Sequence, residues 1–391
     1  MPPTDRSPAA EPGTPHSDLS IARDSSICLC MIVKNEAHVI ERCLESVRDL
    51  IDYWVISDTG SSDNTKDLIR AALDGIPGEL HEDPWVNFGH NRTLNIQHAN
   101  GKAEYLLLVD ADMVLRRDGP LPPLTEDSYL IRHLGPTEYW IKRLVRGTIR
   151  WRYEGVTHEY LTCDEPDREA DLKALAVDHF GDGGSRADKF ERDERMLSTE
   201  LDRDPDNPRT VFYLAQTCRD LAQIHQDPAQ ARRATDLYER RAAMGGWPEE
   251  VYYSLLQAGI LKAGAGDWPA AMDTLIQAWE SRPQRLEACY ELASRLRVAG
   301  KYHAAWSFAR AGLGKPMPDD RLFVDAWVYQ WGLLFEYSIT SYWTGDPQAS
   351  LEACDRLLAL PTLPGTYREQ TQANRVFAAR LCALPEASPV A

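Results

Sequence analysis

No stretch of these 391 residues stays apolar long enough to cross a bilayer, and the first residues lack the apolar core of a secretory leader. These two absences set the expectation of a cytoplasmic chain with no membrane span. Positive charge is also in deficit: 43 Lys and Arg stand against 60 Asp and Glu, a formal charge of −17 at pH 7. Binding to a phosphate backbone is driven by cations that displace its counterions, so the balance argues against nucleic acid as a partner. One basic run, Lys142, Arg143, Arg146, Arg150 and Arg152, reads as a solvated face. Paired zinc-ligand spacings are missing. Cys28 and Cys30 fall in an apolar run and Cys43 on a helical period, which makes them reduced, structural thiols.

What is present divides into zones. Residues 1–25 are rich in Pro, Ser, Ala and Asp and too poor in apolar groups to order themselves, so they read as a disordered tail, and 384–391 as another. One domain is expected over 26–187 and a second over 188–383. In the first, Ile27 to Val33 reads as a buried strand, followed by Ile40, Cys43, Leu44 and Val47 on one face of a helix. Trp54-Val55-Ile56 reads as a second strand, Leu68, Ile69 and Ala72 as a second helix, and Phe88 to His98 as a third that stops near Gly101. Strands and helices alternating in this way imply a parallel sheet covered on both faces, with ligands beyond the carboxyl ends of its strands. The polar clusters Asn35, Asp58 to Asn64, and Asp110 with Asp112 all fall at such ends.

The apolar run Leu106 to Val109 ends in two carboxylates one residue apart, Asp110 and Asp112. Carboxylates at the edge of a buried strand are costly unless paired, hydrogen-bonded or bound to a cation. Their hard oxygens favour Mg²⁺ or Mn²⁺ over zinc, and in an extended segment both side chains share one side. The rival reading is acidic residues that cap the next turn.

After Asp188 the pattern is helical almost throughout. Tyr213-Leu214-Ala215, Tyr253-Ser254-Leu255 and Tyr290-Glu291-Leu292 read as helix openings, and Gly266-Asp267-Trp268, Gly300-Lys301-Tyr302 and Gly345-Asp346 as turns followed by small residues. Tetratricopeptide repeats have this form, helix-turn-helix units of roughly 34 residues. Such a domain offers a concave surface for an acceptor, or a homodimer contact.

In their order and separation, Met31-Ile32-Val33-Lys34-Asn35-Glu36, Asp58-Thr59-Gly60-Ser61-Ser62-Asp63-Asn64-Thr65 and Val109-Asp110-Ala111-Asp112 resemble the family 2 glycosyltransferases of the GT-A fold. The likeness continues through Tyr153 to Glu159 and Asp178 to Arg186, and is similar to a bacterial subgroup that fuses the transferase to a tetratricopeptide region. The layout is also similar to that of S-glycosyltransferases acting on bacteriocin peptides, although nothing here fixes a peptide acceptor. Met113 departs from the pattern, since relatives commonly carry an acidic residue there. The resemblance implies an α/β GT-A domain, Rossmann-like with a mostly parallel sheet, followed by an all-α tetratricopeptide-type repeat domain.

It also implies a chemistry: a hexose or N-acetylhexosamine moved with inversion from a UDP-sugar to a peptide, glycan or small-molecule acceptor, with Mn²⁺ or Mg²⁺ as cofactor. Asp58 then accepts from the uracil ring, Val33 and Asn35 flank the base, and Arg92 lies near the diphosphate or base. Asp112 is the direct metal ligand, Asp110 holds the ribose or a metal-bound water, and His179 completes the coordination. Arg186 and Lys189, following glycines, are cations suited to close over the diphosphate. Transfer needs a base for the acceptor's proton. Glu159 is the candidate, His158 the alternative base or ligand, and Asp182 a third option; an extended Val156 to Tyr160 turns Glu159 and His158 to opposite sides. The ordinary readings are a backbone-bonding turn for Asp58, a surface salt bridge for Arg92 and helix caps for Asp63 and Asn64. The alternative function is a catalytically inactive, transferase-like scaffold whose repeats bind a protein partner.

Overall fold

The computed structural model describes residues 25–134, 139–183 and 189–383, and the chain divides into two compact units, Met1–Ala187 and Asp188–Ala391. The tails expected at 1–25 and 384–391 lie, apart from Ser25, outside the described residues.

In the first unit, strands β1 (Ile27–Val33), β2 (Tyr53–Asp58), β3 (Gly78–Glu82) and β4 (Tyr105–Leu108) are joined by helices α1 (Ile40–Val47), α2 (Thr65–Ala72) and α3 (Phe88–Ala99). Helical crossovers return the chain to the same end of the sheet, so these strands pair in parallel in the order β3-β2-β1-β4. Beyond β4 come β5 (Met113–Arg117), β6 (Ser128–Leu134), β7 (Tyr139–Arg146), β8 (Arg152–Glu154), β9 (Tyr160–Thr162) and β10 (Glu169–His179), with no helix among them in the described residues. The sheet continues β4-β7-β6-β10-β5. There β7 runs antiparallel to both neighbours and β5 antiparallel to β10, while β6 and β10 are parallel. The sheet is therefore mixed, because its second half is built without crossover helices. Strands β8 and β9 form a separate antiparallel ribbon.

Alternate residues of β1 serve two cores. Ile27, Leu29, Met31 and Val33 pack with Ile40, Cys43, Leu44 and Val47 of α1 and Ile69 of α2. Cys28 and Cys30 pack on the other face with Leu106, Leu108, Val145, and Ile96 and Ala99 of α3. Burial on both faces explains the nearly continuous apolar character of these strands. Helix α3 is also tied to the sheet by polar contacts, Asn95 Nδ2 donating to Val55 O at 3.1 Å and to Ser57 Oγ at 3.0 Å.

The second unit is helical: α4 (Lys189–Arg203), α5 (Pro208–His225), α6 (Pro228–Ala243), α7 (Pro248–Gly264), α8 (Trp268–Ser281), α9 (Glu287–Val298), α10 (Tyr302–Ala311), α11 (Leu333–Trp343), α12 (Pro347–Leu358) and α13 (Gly365–Cys382). Gly266, Gly300 and Gly345 have φ of +85°, +71° and +90°, a conformation that ends each preceding helix at little steric cost to glycine. Asp267 and Asp346 then accept hydrogen bonds from Ala270 N and Ala349 N, capping α8 and α12. Tyr213, Tyr253 and Tyr290 sit a few residues inside α5, α7 and α9 rather than opening them. Gly259 of α7 faces Leu275 of α8 so closely that a Cβ would lie 2.7 Å from the leucine side chain. Such small residues let paired helices approach.

Candidate active site

Because β2, β1 and β4 are parallel neighbours, the polar segments that follow them emerge side by side. Two of these segments are interlocked. Thr59 donates to Val33 O through its N–H at 2.9 Å and its hydroxyl at 3.1 Å. Asn35 has φ +56°; its N–H donates to Ser61 Oγ at 2.9 Å and its Oδ1 accepts from Ser62 N at 2.8 Å. Asp63 accepts from Thr65 N at 3.1 Å, whereas Asn64 makes no side-chain cap.

Asp58, 2% exposed, divides its two oxygens. Oδ1 accepts from Gly60 N at 2.9 Å and Ser61 N at 2.8 Å, the turn expected of such a residue. Oδ2 is buried and has no hydrogen-bond partner among the described residues. Buried carboxylate oxygens are seldom left unpaired, which sets this one apart from Oδ1.

Strand β4 ends at Leu108, and Met113 N donates to Asp110 O at 3.1 Å, which closes a turn. The alternation that puts Asp110 and Asp112 on one side of an extended strand therefore does not apply. Asp110 Oδ1 lies 2.6 Å from Arg92 Nη1, and Arg92 Nε donates to Glu159 Oε1 at 2.7 Å. Arg143 Nη2 is 3.5 Å from Asp110 Oδ2. Burial alone raises a carboxyl's pKa, yet the Arg92 and Arg143 guanidiniums hold Asp110 below the ordinary carboxylate range. Burial likewise works against the Arg92 charge, and Asp110 and Glu159 more than offset it. Arg92 is thus a partly buried bridge between two carboxylates, not a surface salt bridge.

Arg143 reaches this group because the β6–β7 pairing slips. Tyr129 opposes Leu144 and Leu130 opposes Lys142, leaving Arg143 as the extra residue of a bulge. It also donates to Leu108 O at 3.4 Å and to His133 Nε2 at 3.3 Å. Burial and the Arg143 charge push the His133 imidazole down to about 3. Arg143 and His133 adjoin this group and were left out of the sequence reading of the site, since the basic run gave no sign that one arginine turns inward.

The expected metal trio Asp110, Asp112 and His179 is not assembled: both Asp110 oxygens face arginines, and the described residues contain no group of three His, Cys, Asp or Glu able to hold a metal ion. Asp112 Oδ2 and His179 Nε2 do meet, at 3.2 Å. Two neighbouring ligands of an octahedral ion at about 2.1 Å stand about 3 Å apart, so this pair fits two coordination positions of Mg²⁺ or Mn²⁺. Gly183 lies against Asp112; a Cβ there would be 3.3 Å from Asp112 Oδ2 and 3.2 Å from Glu36 Oε2. Asp182 is engaged by Arg42 at 2.7 and 3.0 Å, which holds its carboxyl below the usual range.

Residues 155–159 are not extended. They form a bend with φ of +106° at Gly155 and +51° at His158, so the opposite-side argument for His158 and Glu159 has no strand to rest on. His158 is half-buried, and the Glu159 carboxylate is the one on Arg92. The bend lies against the start of α3, where Phe88 N donates to Val156 O at 3.1 Å. Arg186 lies outside the described residues, and Lys189 begins α4 of the second unit, its ammonium 5.9 Å from the Phe190 ring.

An α/β domain with a polar rim at its parallel strand ends, joined to helix-turn-helix repeats, is the class this geometry defines. Residues 28–127, from β1 to the loop before β6, match the model of the glycosyl transferase family 2. A TPR repeat-containing protein of Synechococcus elongatus is 29% identical over 314 residues, 73% of this chain and 74% of that protein. The SPbeta prophage-derived glycosyltransferase SunS of Bacillus subtilis is 23% identical over 204 residues, 48% of this chain and 47% of SunS. The chain carries a glycosyl transferase family 2 domain fused to a helical repeat domain. Among solved structures, the crystal structure of MamA aligns with a TM-score of 0.34 and 13% identity over 50% of this chain and 95% of that one, too slight a likeness to argue from.

Proposed function

We propose that the first unit transfers a sugar from a UDP-sugar to an acceptor nucleophile, with Mn²⁺ or Mg²⁺ as cofactor. The observation that carries this reading is Asp58 Oδ2, a buried carboxylate oxygen lacking a donor at the end of β2. The uracil ring supplies a matching N–H, and Val33 and Asn35 stand on the adjoining segment to flank the base. Asp112 and His179 would hold the cation. When bound, it supplies neutralisation of the charge that gathers on the departing diphosphate.

Glu159 is the base in this reading. As the acceptor attacks the anomeric carbon from the face opposite UDP, the new acceptor–carbon bond forms and the bond to the diphosphate oxygen breaks. The electron pair leaves with UDP and the acceptor's proton passes to Glu159. Configuration at that carbon inverts. The test is UDP release from UDP-glucose, UDP-galactose and their N-acetyl forms in Mn²⁺, with water or an added acceptor. The expected result is release from at least one donor, reduced about 100-fold or more in Glu159→Gln and lost in Asp112→Ala. A chain that releases UDP from none of the four is the inactive scaffold instead.

A further inference from the structure

We propose that Arg92 is a positioning residue for sugar transfer, a single guanidinium that fixes the base Glu159 because it is itself fixed on Asp110. The proposal rests on the UDP-sugar reading above. Its first support is geometric: the guanidinium reaches two carboxylates at once, Asp110 through Nη1 at 2.6 Å and Glu159 through Nε at 2.7 Å. The planar fork of arginine makes this possible, and the single ammonium of lysine does not reproduce it.

The second support is that the anchor is held from behind. Asp110 follows the buried β4, and Arg143, the extra residue of the β7 bulge, stands against its other oxygen while also reaching Leu108 O and His133. A β-bulge that turns a cation inward onto a strand-end carboxylate is a device that re-aims a side chain. The third support lies at the other end. Glu159 falls between β8 and β9, beyond a bend with two left-handed residues, where no sheet ladder sets its position. Its carboxylate is placed by Arg92.

A base misplaced by about 1 Å loses much of its advantage, so the chain Arg143, Asp110, Arg92, Glu159 converts a bend residue into a pre-set proton acceptor. In the reaction Arg92 stays on Glu159 Oε1, the acceptor's proton goes to Oε2, and Arg92 touches neither donor nor acceptor. This differs from the expected contact with the diphosphate or base.

The test is a double-mutant cycle on donor hydrolysis, in which water takes the acceptor's place, together with calorimetric binding of UDP in MnCl₂. Arg92→Met is expected to lower kcat for hydrolysis about tenfold while the KM for donor and the Kd for UDP stay within about twofold of wild type. Glu159→Gln lowers kcat about 100-fold, and the double variant is no slower than Glu159→Gln alone. Arg92→Lys, which keeps the charge and loses the fork, falls between wild type and Arg92→Met and serves if the methionine variant does not fold. Multiplying effects, or a UDP affinity weakened tenfold or more by either Arg92 variant, places Arg92 on the donor and overturns the proposal. Failure of the wild-type chain to bind UDP overturns the underlying reading first, before any variant is compared.

Discussion

At the scale of single residues, the account turns on how carboxylates and their partners share out oxygen atoms. The sequence offered Asp58 two readings, backbone turn or nucleotide contact. The structure assigns the turn to Oδ1 and leaves Oδ2 buried without a partner. For Arg92 the resemblance implied a place near the diphosphate or base and did not show the pairing with Glu159, because the contact joins residues far apart in the chain. His133 was invisible because its contact with Arg143 depends on the bulge in β7. Held at about 3 by burial and by Arg143, its imidazole is neutral in the fold, whereas an unfolded histidine titrates near about 6.5. A depressed folded value means that the stabilisation is complete above the unfolded value and is lost as pH falls towards 3. Asp110, also depressed, loses its share only below about 4, where the unfolded carboxyl begins to bind protons. We expect His133→Phe to lower stability at neutral pH, since Arg143 loses an acceptor, and to flatten the decline between pH 6.5 and 3, which is at most about 1.4 kcal/mol per pH unit for one group. Urea unfolding across that range checks this; an unchanged slope in the variant contradicts it.

At the scale of elements, the apolar runs of β1, β2 and β4 and the periods of α1 to α3 were legible because burial on both faces leaves long hydrophobic signatures. Ile27–Val33 matches the run read from sequence, and α3 ends one residue beyond His98. Strand β3 was not legible: Gly78–Glu82 carries one aliphatic residue and sits at the sheet edge. Nor were the β7 bulge and the 155–159 bend, which depend on pairing partners and positive φ rather than on hydrophobic pattern. One contact links the last of these to α3. A Cβ on Gly89 would stand 2.2 Å from the Gly155 carbonyl oxygen, a backbone atom with no flexible end to yield. Gly89→Ala must therefore push the bend away from α3, at a cost of about 1–3 kcal/mol, and carry Glu159 off Arg92. Thermal unfolding and donor hydrolysis measured together check this. Lower stability with kcat reduced about tenfold or more is expected, and an unaltered kcat would show that the bend does not place the base.

At the scale of the whole molecule, the two units follow different rules, and the sequence announced the difference. Alternating strands and helices with polar strand ends give way to helices punctuated by glycine turns and aspartate caps. The first unit carries its polar motifs on segments that a parallel sheet brings together, which is why motifs distant in sequence were readable as one cluster. The second supplies close-packed helical pairs, where small residues such as Ala271, Ala278, Ala305 and Ala309 are fully buried. The described helices include none long and apolar enough to cross a membrane.

The most direct test of a nucleotide site on this rim is a calorimetric titration of the full chain with UDP in MnCl₂, repeated with Asp58→Ala. The wild-type chain is expected to bind one UDP saturably, and the variant to lose about 1.5–3 kcal/mol of affinity, the worth of a hydrogen bond to a charged group, which is roughly a 10- to 150-fold rise in Kd. Equal affinities, or no binding by the wild-type chain, would contradict it.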